Sequence, residues 1–282
     1  MPEDLIGLAL AEDIGPGDVT AKYFTGTGRR AFAIIMAKEP CCLAGSGICA
    51  EVFLRVDPSL QVSVLKNDGS DLAVGEAVLK AQGSAASILT AERTALNFLQ
   101  RLSGVATQAR KYVEAVQGTG AVILDTRKTT PGFRLLEKAA VAAGGATNHR
   151  RGLYDMVMVK DNHLAAGTSL AEVQEAINRT KAADPKMRIE IEADTLAQAS
   201  DFFQLRGVDV VLLDNMPPAT LREAVRRRPP HIRLEASGGI TLANIREVAE
   251  TGVDYISIGA ITHSAPAVDF SLELFPAETP GV

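Results

Sequence analysis

The chain has 282 residues, 46% of them hydrophobic and 22% charged, with a net charge of -5 at pH 7. That length suffices for one large barrel or two domains with separate cores, and the change of pattern near residue 104 favours two. The acidic balance excludes nucleic acid and anionic membrane surfaces as partners, since binding phosphate on that scale needs a basic face, but it leaves room for a small anionic metabolite where basic side chains converge.

Residues 1–13 lack a basic segment and carry Glu3, Asp4, Glu12 and Asp13, so they do not read as a secretory leader. No apolar run reaches the roughly 20 residues needed to cross a bilayer, and a cytoplasmic protein is the expectation. A short helix is expected over 6–12, then a forced turn through Asp13-Ile14-Gly15-Pro16-Gly17-Asp18. Alternating runs over 31–37, 60–65 and 77–81 predict strands, with a helix over 47–56 between the first two, which together make a small α+β unit. Cys41, Cys42 and Cys49 form no Cys-x-x-Cys pair and have no matching histidine cluster, so they read as reduced thiols without assigned function. A long amphipathic helix follows over 88–102, with apolar residues at 88, 91, 95, 98, 99 and 102 on one stripe, Arg93 off it, and Ser103-Gly104 as its stop.

Past Gly120 the rhythm is strand, polar loop, helix, repeated. Strands are predicted over 121–125, 156–160, 188–193, 208–214, 232–236 and 255–259, and helices over 134–143, 170–181, 196–206, 218–227 and 242–251. This alternation means a parallel sheet with right-handed crossovers, buried on both faces. Charged or small polar residues close nearly every strand: Asp125 to Lys128, Lys160, Glu190 and Glu192, Asp214, Glu235 and Ser237, and Ser257. In a barrel those ends meet on one rim, whereas an open sheet would spread them along a line. The expected fold is therefore α/β, with a barrel preferred to a doubly wound sheet.

Ser237-Gly238-Gly239 lies between a strand and a helix predicted to start near Thr241, and Gly259 to His263 follows the next strand similarly. Either loop alone could be a simple tight turn, but two consecutive late loops of this kind suit a phosphate group. A single lysine or arginine is ordinarily a solvated surface charge. Arg127 and Lys128, then His149 and Arg150, then Lys160 stand at strand mouths, and the planar guanidiniums of Arg127 and Arg150 suit a flat dicarboxylate. Glu192 and Asp214 would repel an anion unless they hold ribose hydroxyls or a magnesium ion, and structural ion pairs with the lysines are the competing role. His231 reads as surface filler and His163 as a loop cap. His149 and His263 carry more weight through their neighbours.

Taken together, these segments closely resemble the quinolinate phosphoribosyltransferase family, also called carboxylating nicotinate-nucleotide pyrophosphorylases. The similarity runs from Glu12-Asp13-Ile14-Gly15-Pro16-Gly17-Asp18-Val19-Thr20 to Gly259-Ala260-Ile261-Thr262-His263, nearly the whole chain. It rests on Glu92-Arg93-Thr94-Ala95-Leu96-Asn97, Asp125-Thr126-Arg127-Lys128-Thr129-Thr130-Pro131-Gly132, Asn148-His149-Arg150 and Met158-Val159-Lys160-Asp161-Asn162-His163. A paralogue associated with molybdenum transport shares the fold and is expected to lack the Lys-Thr-Thr-Pro-Gly and Lys-Asp-Asn-His strings that this chain has.

The resemblance implies an N-terminal α/β sandwich domain (1–104), an incomplete TIM-like α/β barrel (105–265) and a tail (266–282) packing back on the first domain. It implies a homodimer with shared active sites, the further step to a hexamer left open. It places Arg93 in the neighbouring subunit's site and makes Arg127, His149, Arg150 and Lys160 the quinolinate pocket, with Lys128 bridging toward the phosphoribosyl pyrophosphate donor. Glu192 and Asp214 would hold ribose hydroxyls and Mg2+, with Glu192 preferred to Glu190, and Ser237, Gly238, Gly239, Gly259 and His263 would hold the 5′-phosphate. Lys128, Lys160, Glu192 and Asp214 are the expected catalytic set. Two rivals remain: a Schiff-base barrel lyase with Lys160 as nucleophile, and a sugar-phosphate sensor using only the late loops.

Overall fold

The computed structural model describes residues 4–25, 28–160, 163 and 168–277, so Asp161 and Asn162 of the Lys-Asp-Asn-His string lie outside the described residues. Along the chain run α1 (Leu5–Ile14), a π-helical turn (Ala21–Thr25), β1 (Arg30–Ala37), β2 (Cys41–Cys42), α2 (Ser46–Val56), β3 (Gln61–Val64), β4 (Asp71–Leu72), β5 (Ala77–Ser84) and α3 (Ala85–Ala115). Then come β6 (Val122–Leu124), α4 (Arg134–Ala143), β7 (Val157–Val159), α5 (Leu170–Ala183), β8 (Ile189–Ala193), α6 (Leu196–Phe202), β9 (Val210–Asp214) and α7 (Pro218–Arg227). β10 (Arg233–Ser237), α8 (Ile245–Ala249), β11 (Tyr255–Ser257), α9 (Ala260–His263) and β12 (Phe270–Pro276) complete it. Two compact units form, one from Met1–Arg110, Thr130–Gly145 and Ser264–Val282, the other from Lys111–Thr129 and Ala146–His263.

The first unit is built on an antiparallel sheet of order β12-β1-β5-β3. Period two in β1 buries Ala31, Ala33, Ile35 and Ala37 on one face. That face shares a core with Phe53 of α2 and with Ile88, Leu96 and Leu99 of α3. The last strand, β12, pairs with β1, and the rings of Phe32 and Phe275 stack at 5.0 Å. Burial pushes the Cys41 thiol up to about 11 and the Cys49 thiol up to about 12, so both stay protonated.

On α3 the residues at 88, 91, 95, 98, 99 and 102 are all buried, and Arg93 is exposed. The helix does not stop at Ser103-Gly104, however. Gly104 serves a close approach, since a Cβ there would lie 2.0 Å from the Pro266 carbonyl oxygen. Ser103 is buried too, its hydroxyl accepting from the Ala44 N–H (3.1 Å) and donating to the Ala44 carbonyl (3.2 Å). Residue 104 therefore falls inside one continuous helix, and residues 130–145 join the first unit.

Glu137 of α4 explains that last placement. Fully buried, it accepts from Arg101 Nη2 (2.6 Å), the Thr130 N–H (3.0 Å) and the Thr130 hydroxyl (2.8 Å). Glu137→Ala strips these donors of their acceptor. A loss of about 3 kcal/mol in urea unfolding is expected, the lower end for a broken buried pair because Arg101 is partly exposed.

The second unit holds six parallel strands in the order β6-β11-β10-β9-β8-β7. From β7 to β11 each strand neighbours its successor, and the first strand, β6, then pairs with the last. A doubly wound sheet would reverse direction at a switch point, so this winding is that of a barrel. Between β6 and β7 the ring stays open apart from a parallel bridge between Leu124 and Thr147, which makes the barrel incomplete.

Two helices are shorter than the sequence predicts. α6 ends at Phe202, ahead of turns that lead to Gly207 at φ 85°. α8 begins only at Ile245, because the Asn244 side chain accepts from the Thr241 N–H (2.8 Å) and donates to the Gly239 carbonyl (3.1 Å). A side-chain turn thus replaces the first helical turn. Among the described residues, no helix is long and apolar enough to cross a membrane.

Candidate active site

At the C-terminal ends of the barrel strands lies a cavity of about 420 Å3 lined by Lys128, His149, Lys160, Glu192, Asp214, Ser237, Gly238 and Gly239. Each strand contributes at its mouth: Lys128 beyond β6, Lys160 beyond β7, Glu192 in β8, Asp214 closing β9, Ser237 closing β10, and Ser257 closing β11. Gly259 belongs to the same rim, since a Cβ there would meet Lys128 Cδ at 3.0 Å and His263 Cδ2 at 3.1 Å. His263 itself is exposed.

The cavity has an acidic side. Glu192 and Asp214, together with Asp194, each bring one carboxylate oxygen within 4.8 Å of the others, a set of hard donors that suits Mg2+. Lys160 Nζ donates to Glu192 Oε2 at 2.7 Å. Its amine is thus taken up by a carboxylate, whereas a Schiff-base nucleophile must be free to attack a carbonyl, and this disfavours the lyase reading. At the mouth of β7 the Lys160 N–H donates to His163 Nδ1 (2.9 Å), the capping role expected of that histidine.

Arg127 and Arg150 do not line this cavity but stand next to residues that do. Arg150 Nη2 lies 3.5 Å from the sulfur of Met158, a lining residue, and its backbone N–H donates to His149 Nδ1 at 2.7 Å. Burial lowers the pKa of Arg150 and the nearby charge of Arg127 lowers it further, while Glu190 and Asp155 oppose the shift. Two guanidiniums that destabilise each other are costly on their own. Around a planar dianion they become an asset.

His149 forms the cavity floor. Its Nε2 lies 3.1 Å from Glu190 Oε2 and 3.4 Å from Glu235 Oε2, and its backbone N–H donates to Asp125 Oδ1 at 2.7 Å. Burial lowers the ring's pKa, but the hydrogen bonds with Glu190 and Glu235 more than offset it, raising it to about 9. The Arg150 amide pulls the other way, because a proton on Nδ1 would meet the N–H head-on. The 2.7 Å contact is the stronger constraint and sets Nδ1 as acceptor, with the ring proton on Nε2 facing the carboxylates.

Period two puts Glu190 and Glu192 on the same inward face of β8, yet only Glu192 reaches the cavity, while Glu190 is 1% exposed beneath His149. Arg93 belongs to the first unit. Asn215 was not singled out from sequence. It is the one non-glycine residue with positive φ (53°) among those described; its amide donates to Asp214 Oδ2 (2.6 Å) and its N–H to the Ser237 carbonyl (2.8 Å). A strained residue between two site residues is a functional signature, and the only hint in the sequence is Asp-Asn closing an apolar strand.

An incomplete α/β barrel with phosphate-type glycine loops, an acidic donor set and clustered cations at one mouth defines an enzyme acting on anionic, phosphate-bearing substrates. Residues 18–103 match the quinolinate phosphoribosyl transferase N-terminal domain, and residues 105–273 match its C-terminal domain. The chain belongs to the quinolinate phosphoribosyltransferase family. It is 43% identical over 263 residues to a probable carboxylating nicotinate-nucleotide pyrophosphorylase of Bacillus subtilis, covering 93% of this chain and 90% of that one. It is 40% identical to a mitochondrial decarboxylating quinolinate phosphoribosyltransferase of Nicotiana tabacum, covering 95% and 80%. A crystal structure of NadC from Streptococcus pyogenes superposes with a TM-score of 0.91 at 38% identity, covering 98% of this chain and 97% of that one.

Proposed function

We propose that the chain transfers the phosphoribosyl group of 5-phosphoribosyl 1-pyrophosphate to quinolinate, releasing pyrophosphate and CO2 and giving nicotinate mononucleotide, a step of NAD biosynthesis. The observation that carries this reading is the mutually repelling pair Arg127 and Arg150 beside a cavity whose far side is acidic and glycine-looped. A planar dicarboxylate neutralises the first, and a pentose phosphate suits the second. A sugar-phosphate sensor would have no need of two guanidiniums and a lysine gathered beside its phosphate loops.

The pyridine nitrogen attacks C1 of the ribose as the bond from C1 to the pyrophosphate oxygen breaks, its electron pair leaving with pyrophosphate. Arg127, Arg150 and Lys160 hold the two carboxylates so that the ring nitrogen faces C1, and His149 supports the ring from below. Lys128 stands between the two substrates. Ser237, Gly238, Gly239, Gly259 and His263 hold the 5′-phosphate, while Glu192 and Asp214 hold the ribose hydroxyls. Glu192 and Asp214 would also hold Mg2+, which would supply positive charge where the pyrophosphate departs. Once alkylated, the nitrogen is cationic and stabilises the electron pair left on C2 when the bond to its carboxylate breaks. CO2 departs and C2 takes a proton from water. We further assign to Arg93, exposed on α3, a carboxylate contact in the site of a second subunit, which makes the working unit a dimer.

Incubation with quinolinate, donor and Mg2+ should yield nicotinate mononucleotide and CO2 in equal amounts, and nicotinate in place of quinolinate should give no product. Equal turnover of nicotinate would defeat the reading, because the second carboxylate would then be irrelevant.

A further inference from the structure

The interior layers of a barrel are ordinarily filled by branched apolar side chains. Here one layer carries Glu190 from β8 and Glu235 from β10, 1% and 2% exposed. Each turns one oxygen toward His149 Nε2, and the other oxygen of each has no hydrogen-bond partner among the described residues. Burying carboxylate oxygens this way is costly, and the same volume could be filled by methionine or leucine at no such cost. What the two carboxylates secure is the ring above them. Nε2 is held from below, so Nδ1 must point at the Arg150 N–H, 2.7 Å away. The His149 N–H is meanwhile tied to Asp125, itself fully buried at the end of β6. The ring is thus a strut with its foot on two barrel strands and its head against the backbone of Arg150.

We propose that Glu190 and Glu235 are positioning residues for the reaction: through His149 they fix the backbone from which the Arg150 guanidinium reaches the substrate's carboxylate. This rests on the reading of Arg150 as a quinolinate ligand. Glu235 borders the cavity beside His149, but neither glutamate is a substrate ligand in this scheme. Their effect belongs to the quinolinate half of the site and leaves the glycine loops, Asp214 and Lys128 alone. A role in holding the barrel together would instead disturb both halves equally.

The test compares Glu190→Met and Glu235→Met, which keep the volume and remove the acceptor, with Glu190→Gln and Glu235→Gln, which retain one. In steady-state assays of the full chain, each Met variant should raise the quinolinate KM by about tenfold to a hundredfold, as misplacing a binding group does, and leave the donor KM within about twofold. The Gln variants should recover most of that loss. An unchanged quinolinate KM, equal shifts in both KM values, or Gln variants as impaired as Met would each overturn the proposal. If the Met variants do not fold, amide hydrogen exchange at Arg150 decides: protection in the wild type and the Gln variants supports the strut, and exchange at open-loop rates removes it. Arg150→Ala run alongside separates the two readings, because an unchanged quinolinate KM there would refute the Arg150 assignment itself.

Discussion

Arg150→Ala is expected to raise the quinolinate KM by roughly a hundredfold, about 3 kcal/mol for a charge-assisted, two-pronged contact removed from a half-buried site. The donor KM should stay within about twofold, since the residues near its phosphate and ribose are untouched. Arg150→Lys separates charge from geometry. An ammonium keeps the positive charge but offers no planar fork, so most of the loss should persist. Arg150→Ala, unlike the lysine variant, should also relieve Arg127, whose charge lowers the pKa of Arg150 in the intact protein, and its global stability should hold or rise slightly. Initial-rate kinetics with each substrate varied at saturating levels of the other measure all of this. A near-normal quinolinate KM for Arg150→Ala would refute the pocket assignment.

Gly238→Ala should be equally damaging at the opposite end of the site. The residue has φ of +88°, where an L side chain costs on the order of 1 kcal/mol. Worse, its Cβ would lie 2.2 Å from Asn215 Oδ1. Either the loop or Asn215 must move, and Asn215 holds both Asp214 and the Ser237 carbonyl. Phosphate recognition and the acidic pair are therefore disrupted together. We expect kcat/KM for the donor to fall by about two to three orders of magnitude, as misplacement near the reacting centre does, with quinolinate binding by titration calorimetry almost unchanged. The neighbouring glycine is the control. At Gly239 a Cβ would meet the same oxygen at 3.9 Å, an ordinary contact, so Gly239→Ala bears only its backbone strain and should lose about tenfold or less. Equal losses at the two positions would show that the Asn215 contact does not matter.

The rim of the barrel was legible because its signal is local. Lys128, Lys160, Asp214 and Ser237 each stand at or just past the end of an apolar run, so finding the strands finds the residues. Depth was not legible. Period two puts Glu190 and Glu192 on one face, and only the pairing of β8 with β7 and β9 decides that one lies beneath His149 while the other reaches the cavity. Gly104 misled for a similar reason, since its purpose is a contact with residue 266, far away in sequence. The same holds for residues 130–145, drawn into the first unit by the buried Glu137 and its partners. The late start of α8 was hidden in a single side chain: Asn244 near a predicted helix start reads as an ordinary helix residue until its amide is seen occupying the turn. Asn215 shows the limit most plainly, because left-handed backbone at a non-glycine residue is imposed by its surroundings.

The strand pairing sets terms for the ribosome. β1 gains its second neighbour β12, and β6 its partner β11, only when residues 255–276 have been made. Until then a nascent chain carries open backbone edges at both places, one of them beside the buried Ile123 and Leu124. Synthesis of β11 and β12, not emergence of the strands before them, is the moment both sheets can close, and a truncated product lacking the two is a substrate for chaperones or proteases.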